Sequence, residues 1–238
     1  MARRFAPRWY FVLLTAAAVS LFVPLGFWQW HRGEYRSAQW QAFARADLPA
    51  VAAGSAGEIA AMPRYSHVSV RGQFDAAHQI LLDNISHEGA PGYEVLTVLQ
   101  LADGSHLLVN RGWLPFSGRR DQLPDVTLDA AAEQALSGRL SVLPVTGIAA
   151  GRQAPAATGA WPRVTSFPVR AELESVLGVQ LLEPVLLLDA GSGPGYLRDW
   201  RPPGIPPERN YSYAVQWWAF AALAMGLFVG LNLKKANV

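Results

Sequence analysis

The sequence predicts an α+β membrane protein in which two transmembrane helices, one near each end of the chain, flank a single β-rich extracytoplasmic domain holding a short helix. Three observations predict it. Residues 211–233, YSYAVQWWAFAALAMGLFVGLNL, carry no formal charge and are long enough as a helix to cross a hydrocarbon core about 30 Å thick. A second apolar run, residues 9–30, follows a basic start. Between them, short segments rich in Val, Leu and Tyr alternate with Gly, Pro and Asp, the punctuation of strands and turns.

Residues 1–8 hold Arg3, Arg4 and Arg8 and are expected on the cytoplasmic side. Residues 9–30 follow as the first membrane helix, with Pro24 near its outer end. A cleaved signal peptide has an apolar core of about 7 to 15 residues that ends at a small-residue cleavage site. Here Ala16, Ala17, Ala18 and Ser20 fall mid-run, and Trp28 and Trp30 form an interfacial girdle, so the run reads as a retained anchor. At the other end, Tyr211, Tyr213, Trp217 and Trp218 suit the headgroup layer. Lys234 and Lys235 are the only lysines and mark residues 234–238 as a second cytoplasmic end. Residues 31–209 then lie outside the cytoplasm. Arg32, Arg36 and Arg209 do not reverse this orientation, because loops beyond about 60 residues translocate largely regardless of charge.

Composition fits one anchored domain. Mean hydropathy is +0.12, too low for a polytopic transporter, and the outer segment is long enough to bury a core without staples. The chain has no cysteine, which excludes a disulfide framework, a CxxC pair, a thiolate copper site and covalent haem attachment. Net charge is +2 with scattered arginines, so no nucleic-acid partner is expected.

Along the outer segment, residues 34–47 continue the first helix, with Tyr35, Gln39 and Phe43 on one face. Residues 48–62 lack sustained periodicity and read mostly as linker, with a short helix near 58–61. Residues 65–72 alternate with period two, residues 80–83 are a short apolar run, and residues 93–101 and 105–111 flank Asp103-Gly104. That pair predicts a tight hairpin, since Asp-Gly admits the positive backbone angles such a turn needs. Residues 139–143 and 185–189 are further strands. Residues 168–177 read as a helix opened by Pro168 and stopped by Gly178. Residues 117–129 and 147–160 are loops, and residues 191–207 an irregular descent to the membrane.

The sequence offers no catalytic or metal motif. GxSxG is absent, Gly191, Gly193 and Gly195 do not make GxGxxG, and His87-Glu88 is followed by Gly89 and Pro91 rather than completing HExxH. His67, His78, His87 and His106 lack metal-ligand spacing and read as strand or turn residues. Asp83, Glu94 and Asp189 are acids or bases in principle, but nothing in the sequence pairs them.

Short patches in a fixed order remain: LGFWQWHR with Leu25, Gly26, Trp28, Gln29 and Arg32; PRYSHVSVRGQF; LLDNISHEGAPGYEV; LLVNRGWLP; and SYAVQWWAFA. Together they resemble the Surfeit-locus-one family, also called Surf/Shy, of cytochrome c oxidase assembly proteins, over nearly the whole chain. The resemblance implies a non-enzymatic, membrane-anchored factor that helps mature the catalytic subunit of a haem-copper oxidase. It implies a bacterial inner membrane location, a β-rich periplasmic domain, and haem synthesis or copper assembly factors as further partners besides membrane lipid. In bacterial members this function is tied to holding haem a, through a histidine three residues before the tyrosine of the YAxQW patch. That position is Asn210 here, and asparagine is outside the usual axial repertoire of His, Met, Cys and Tyr. His31 is the only histidine beside either membrane segment, and it with Tyr211 or Tyr213 are the remaining ligand candidates.

The matched residues each have two readings. Gln29 and Gln216 sit in or beside apolar runs, where an unpaired amide is costly, so each bonds to the opposite helix or to a bound group. Arg32 and Arg209 contact either lipid headgroups or haem propionates. Trp28, Tyr213 and Trp217 complete the candidate cofactor face. Arg111 and Trp113 read as structural. The rival functions are a membrane scaffold without cofactor and an anchored periplasmic hydrolase.

Overall fold

The computed structural model describes residues 3–44, 49–129, 132–145, 151–202 and 204–235. Two compact units emerge, Met1–Ala44 with Pro202–Val238, and Arg45–Arg201.

In the first unit, β1 (Arg3–Phe5) leads into α1 (Trp9–Ala44), which continues unbroken past Pro24 and into the predicted extension as far as Ala44. At 1.5 Å per residue it spans about 54 Å, more than a hydrocarbon core requires. Pro207 opens α4 (Pro207–Asn232) at a position where its missing N–H costs nothing, and β9 (Leu233–Lys235) ends the described chain. Both helices are long and apolar enough to cross a membrane. They run antiparallel, because β1 pairs with β9 at one end, Phe5 opposite Leu233 and Arg4 opposite Lys234. Phe5 also meets Phe228 edge-on at 5.7 Å. Close approach depends on two glycines. A Cβ on Gly26 would lie 2.2 Å from the Trp218 indole, and one on Gly33 would lie 2.6 Å from the Tyr211 ring. Trp30 and Phe27 close around these rings at 4.9–5.8 Å.

The second unit is a small barrel. Its strands are β2 (Val51–Ala52), β3 (His67–His87), β4 (Ala90–Leu101), β5 (His106–Pro115), β6 (Gln134–Ser141), β7 (Arg163–Thr165) and β8 (Leu181–Leu188), with α2 (Ala56–Ala61) and α3 (Arg170–Leu177) between them. The two strands predicted at 65–72 and 80–83 are one. Register shifts between Phe74 and Gln79 and between Leu82 and Ile85 break the alternation that a sequence pattern can follow, while pairing to β4 continues across them. Residues 67–72 of β3 pair with β6, and residues 72–87 pair with β4. The order β3-β4-β5-β8-β6 thus returns to β3, with β5 and β8 parallel and the other ring pairs antiparallel. This is the Greek-key order of a five-stranded OB-type barrel, in which closure removes the free edges. β2 and β7 add short parallel pairings to β3.

Val68, Val70, Phe74, Leu99, Leu107, Val109, Leu136, Leu140, Leu186 and Leu188 fill the barrel from its five strands. A second cluster, Ile80, Leu82, Leu96, Val98 and Leu108, lies on the alternate strand face and packs on Leu173 and Leu177 of α3.

Smaller departures have local causes. At the hairpin only Gly104 takes a positive φ, +82°, and its N–H donates to Leu101 O at 3.0 Å, so the loop is longer than a two-residue turn. The Asp103 carboxylate accepts from Ser105 N at 3.0 Å and from Ala56 N at 2.8 Å, tying the hairpin to α2. Tyr65 has φ +73°, so its strand begins at His67. β6 and β8 begin earlier than predicted. Pro168 precedes α3 rather than opening it, since Glu172 already accepts from Val169 N at 3.2 Å. Of the predicted loop at 147–160 and the helix extension at 34–47, residues 147–150 and 45–47 lie outside the described residues.

Gly26→Val is expected to destabilise the helix pair by about 1–3 kcal/mol through overpacking against Trp218. Thermal unfolding of the full chain in detergent, followed by tryptophan fluorescence, measures it.

Candidate functional site

On α1 the half-buried Gln29 lies between the buried Gly26 and Gly33, and on α4 the buried stripe repeats Asn210, Ala214 and Ala221. One polar contact joins them: Asn210 Nδ2 donates to Gln29 Oε1 at 3.1 Å. Each amide thereby satisfies a group of the other that would otherwise be desolvated unpaired.

Most of the other sequence-predicted residues point elsewhere. His31 is 73% exposed and its Nδ1 lies 2.9 Å from Glu34. It stands about 200° around the helix from both Gln29 and Gly33, so it cannot replace a ligand between the helices. Arg32 lies over the exposed Trp28 ring at 5.8 Å, a cation–π pair on the outer surface of α1. Arg209, Tyr213 and Gln216 are exposed, while Trp217 stacks on Phe22 at 5.6 Å. The reading in which Gln216 bonds to α1 is therefore corrected: it faces away from the Asn210, Ala214 and Ala221 stripe. It belongs to a second stripe, Ser212, Gln216, Ala219, Leu223, Gly226 and Gly230, spaced alternately by four and three residues and exposed throughout. A Cβ on Gly226 or Gly230 would meet nothing within 4 Å. Sequence reasoning missed this stripe, although its spacing is legible.

Within the barrel unit, Arg111 follows Leu107 and Val109 on the core-facing side of β5 and is 2% exposed. Its guanidinium donates to Gln79 Oε1 at 3.0 Å, to Thr97 Oγ1 at 3.4 Å and to Pro194 O at 3.3 Å, and lies over the Tyr196 ring at 5.3 Å. Burial pulls its pKa down and Tyr196 opposes that, but a guanidinium stays charged. Three chain segments, β3, β4 and residues 194–196, are thereby tied to one buried cation of β5. On the other face of the sheet, Asn110 Nδ2 donates to Glu94 Oε2 at 2.7 Å, and Asn110 Oδ1 accepts from Gly112 N at 3.1 Å. Burial raises the Glu94 pKa, and the Asn110 bond opposes the rise. Trp113, paired with Glu94 across the strands, donates to Ile85 O at 3.3 Å and lies 5.3 Å from the His87 ring. The acids without a partner in sequence acquire one here: Asp83 takes Arg120 at 2.7 Å and Asp189 takes His67 at 2.6 Å. These partners are distant in sequence, so no local pattern announces them.

A model of the SURF1 family matches residues 16–222, from within α1 to within α4. The chain belongs to the SURF1 family. A search of curated proteins gives no match. The SURF1 family is known for cytochrome oxidase assembly and is an assembly-factor family rather than a known enzyme family. Of the ordered sequence patches, LGFWQWHR places Gln29 at the helix contact and LLVNRGWLP places Arg111 and Trp113 in the barrel. The residues between the helices do not fit an axially held haem, since Asn210 is engaged with Gln29 and is not an axial ligand type, His31 and Tyr213 face away, and the Tyr211 ring is packed on Gly33 and Trp30.

Arg111→Met is expected to cost about 2–4 kcal/mol by leaving Gln79, Thr97 and Pro194 O short of a buried donor, read by the same unfolding assay. Glu94 gives a pH signature. With its folded pKa raised, its contribution is fully present below the ordinary glutamate value of about 4.3 and is lost as pH rises through the folded value. Glu94→Gln keeps an acceptor for Asn110 and is expected to flatten the fall in stability as pH rises above the ordinary glutamate value, read by thermal unfolding across pH.

Proposed function

We propose that this chain is a non-enzymatic assembly factor, anchored by α1 and α4 in a bacterial inner membrane, that binds the maturing catalytic subunit of a haem-copper oxidase. The face of α4 that α1 leaves open is the docking surface. The carrying observation is the stripe of Ser212, Gln216, Ala219, Leu223, Gly226 and Gly230. Small residues let a second helix backbone approach closely, and the Gln216 amide at the headgroup end of the stripe offers it a polar partner, so this face suits a transmembrane helix of the client.

In this reading residues 9–30 and 211–233 span the bilayer, residues 1–8 and 234–238 are cytoplasmic, and residues 31–209 are periplasmic. The basic ends brought together by β1 and β9 support that orientation. The factor holds the subunit while haem synthesis or copper assembly factors act on it. The Asn210–Gln29 bond favours the form of this reading without an axial haem ligand. The hydrolase alternative has no nucleophile or metal motif behind it.

The test is to purify the protein from cells that make haem a, record its absorption spectrum and probe for the oxidase core subunit. Capture of the subunit without a stoichiometric haem band is expected, and Gly226→Leu/Gly230→Leu should reduce capture about tenfold or more. A stoichiometric band lost in His31→Ala would return haem holding to the function. Undiminished capture by the glycine variant would move docking off α4.

A further inference from the structure

The β1–β9 ladder is an unlikely pairing in water. It is two strands of three residues, and a two-stranded ribbon of that size is marginal by itself. Its register sets Arg3 opposite Lys235 and Arg4 opposite Lys234, and like charges directly opposite each other destabilise a strand pair. Arg8 adds a further cation at the same end, its N–H donating to Asn232 Oδ1 at 3.3 Å and its guanidinium to the Tyr10 hydroxyl at 2.6 Å. Among the described residues of the helix pair no acid lies at this end. The carboxylates nearest along the two helices are Glu34 and Glu208, each about 39 Å away by helical rise and at the opposite end of the pair.

We infer that this basic clip is a binding site for the phosphate groups of anionic phospholipids. The inference rests on the reading that α1 and α4 cross a bilayer. Arg4, Arg8 and Lys234 stand at one end of two apolar helices, in or beside the ladder that also pairs the backbones of residues 3 and 235, and a basic side chain at headgroup depth near an anionic surface gains attraction. A phosphate between the strands converts the like-charge repulsion into two favourable contacts, so lipid and clip stabilise one another. Arg4 and Lys234 are both exposed, as headgroup contact requires. Phe5, edge-on to Phe228, and the donation of Ala6 N to Asn232 O at 3.0 Å hold the clip at the helix ends.

The test reconstitutes the full chain in phosphatidylcholine bilayers and compares spin-labelled phosphatidylglycerol with spin-labelled phosphatidylcholine for association with the protein. A preference for phosphatidylglycerol of about tenfold is expected, falling to near parity in Arg3→Gln/Arg4→Gln/Lys234→Gln/Lys235→Gln and kept in Arg3→Lys/Arg4→Lys. Equal association of the two lipids with an inserted wild-type protein overturns the inference, as does a preference untouched by the glutamine variant. Displacement by inorganic phosphate alone would reassign the site to free anions. A protein that fails to float with the bilayers would instead remove the membrane reading beneath it.

Discussion

Strand β3 uses both of its edges, and the barrel exists because of that. Its first six residues bond to β6 and the remainder to β4, so one continuous strand closes the ring that five shorter strands would leave open. The two register shifts let it curve between these partners without ending. Closure encloses a single layer of aliphatic side chains, and the strand alternation turns a second apolar layer outward for α3 to cover. Arg111 is 2% exposed, so its charge is cut off from bulk solvent. Arg111 is accommodated because Gln79 on β3, Thr97 on β4 and the carbonyl of Pro194 converge on it.

The helix pair is held by different means. Within a bilayer the hydrophobic effect does not drive helices together, so association falls to shape and hydrogen bonding. Gly26 and Gly33 supply the shape by admitting the Trp218 and Tyr211 rings, and the Asn210–Gln29 amide pair supplies the bond. An asparagine committed to its neighbour is a packing element of the helix pair.

These features separate roles along α4. One stripe faces α1 with Asn210, Ala214 and Ala221, and the other presents Gln216 with small residues to the surroundings. Both seams of α4 are thereby shaped for close contact with a neighbouring helix, and α1 fills one of them.

The sequence by itself determined the two apolar helices, the β-rich middle and the family, because length of an apolar run, alternation and ordered patches are local properties. It also announced Gln29, Asn210 and Arg111 as residues out of keeping with their surroundings. Only the tertiary structure decided that residues 65–72 and 80–83 are one strand, since bulges interrupt alternation without interrupting pairing. It alone paired Glu94 with Asn110 across neighbouring strands, Arg111 with Gln79 and Asp189 with His67, and turned His31 and Gln216 away from the helix contact. Residue type and spacing say what a side chain can do. Which neighbour it meets depends on register and helix rotation, set by contacts between segments far apart in the chain.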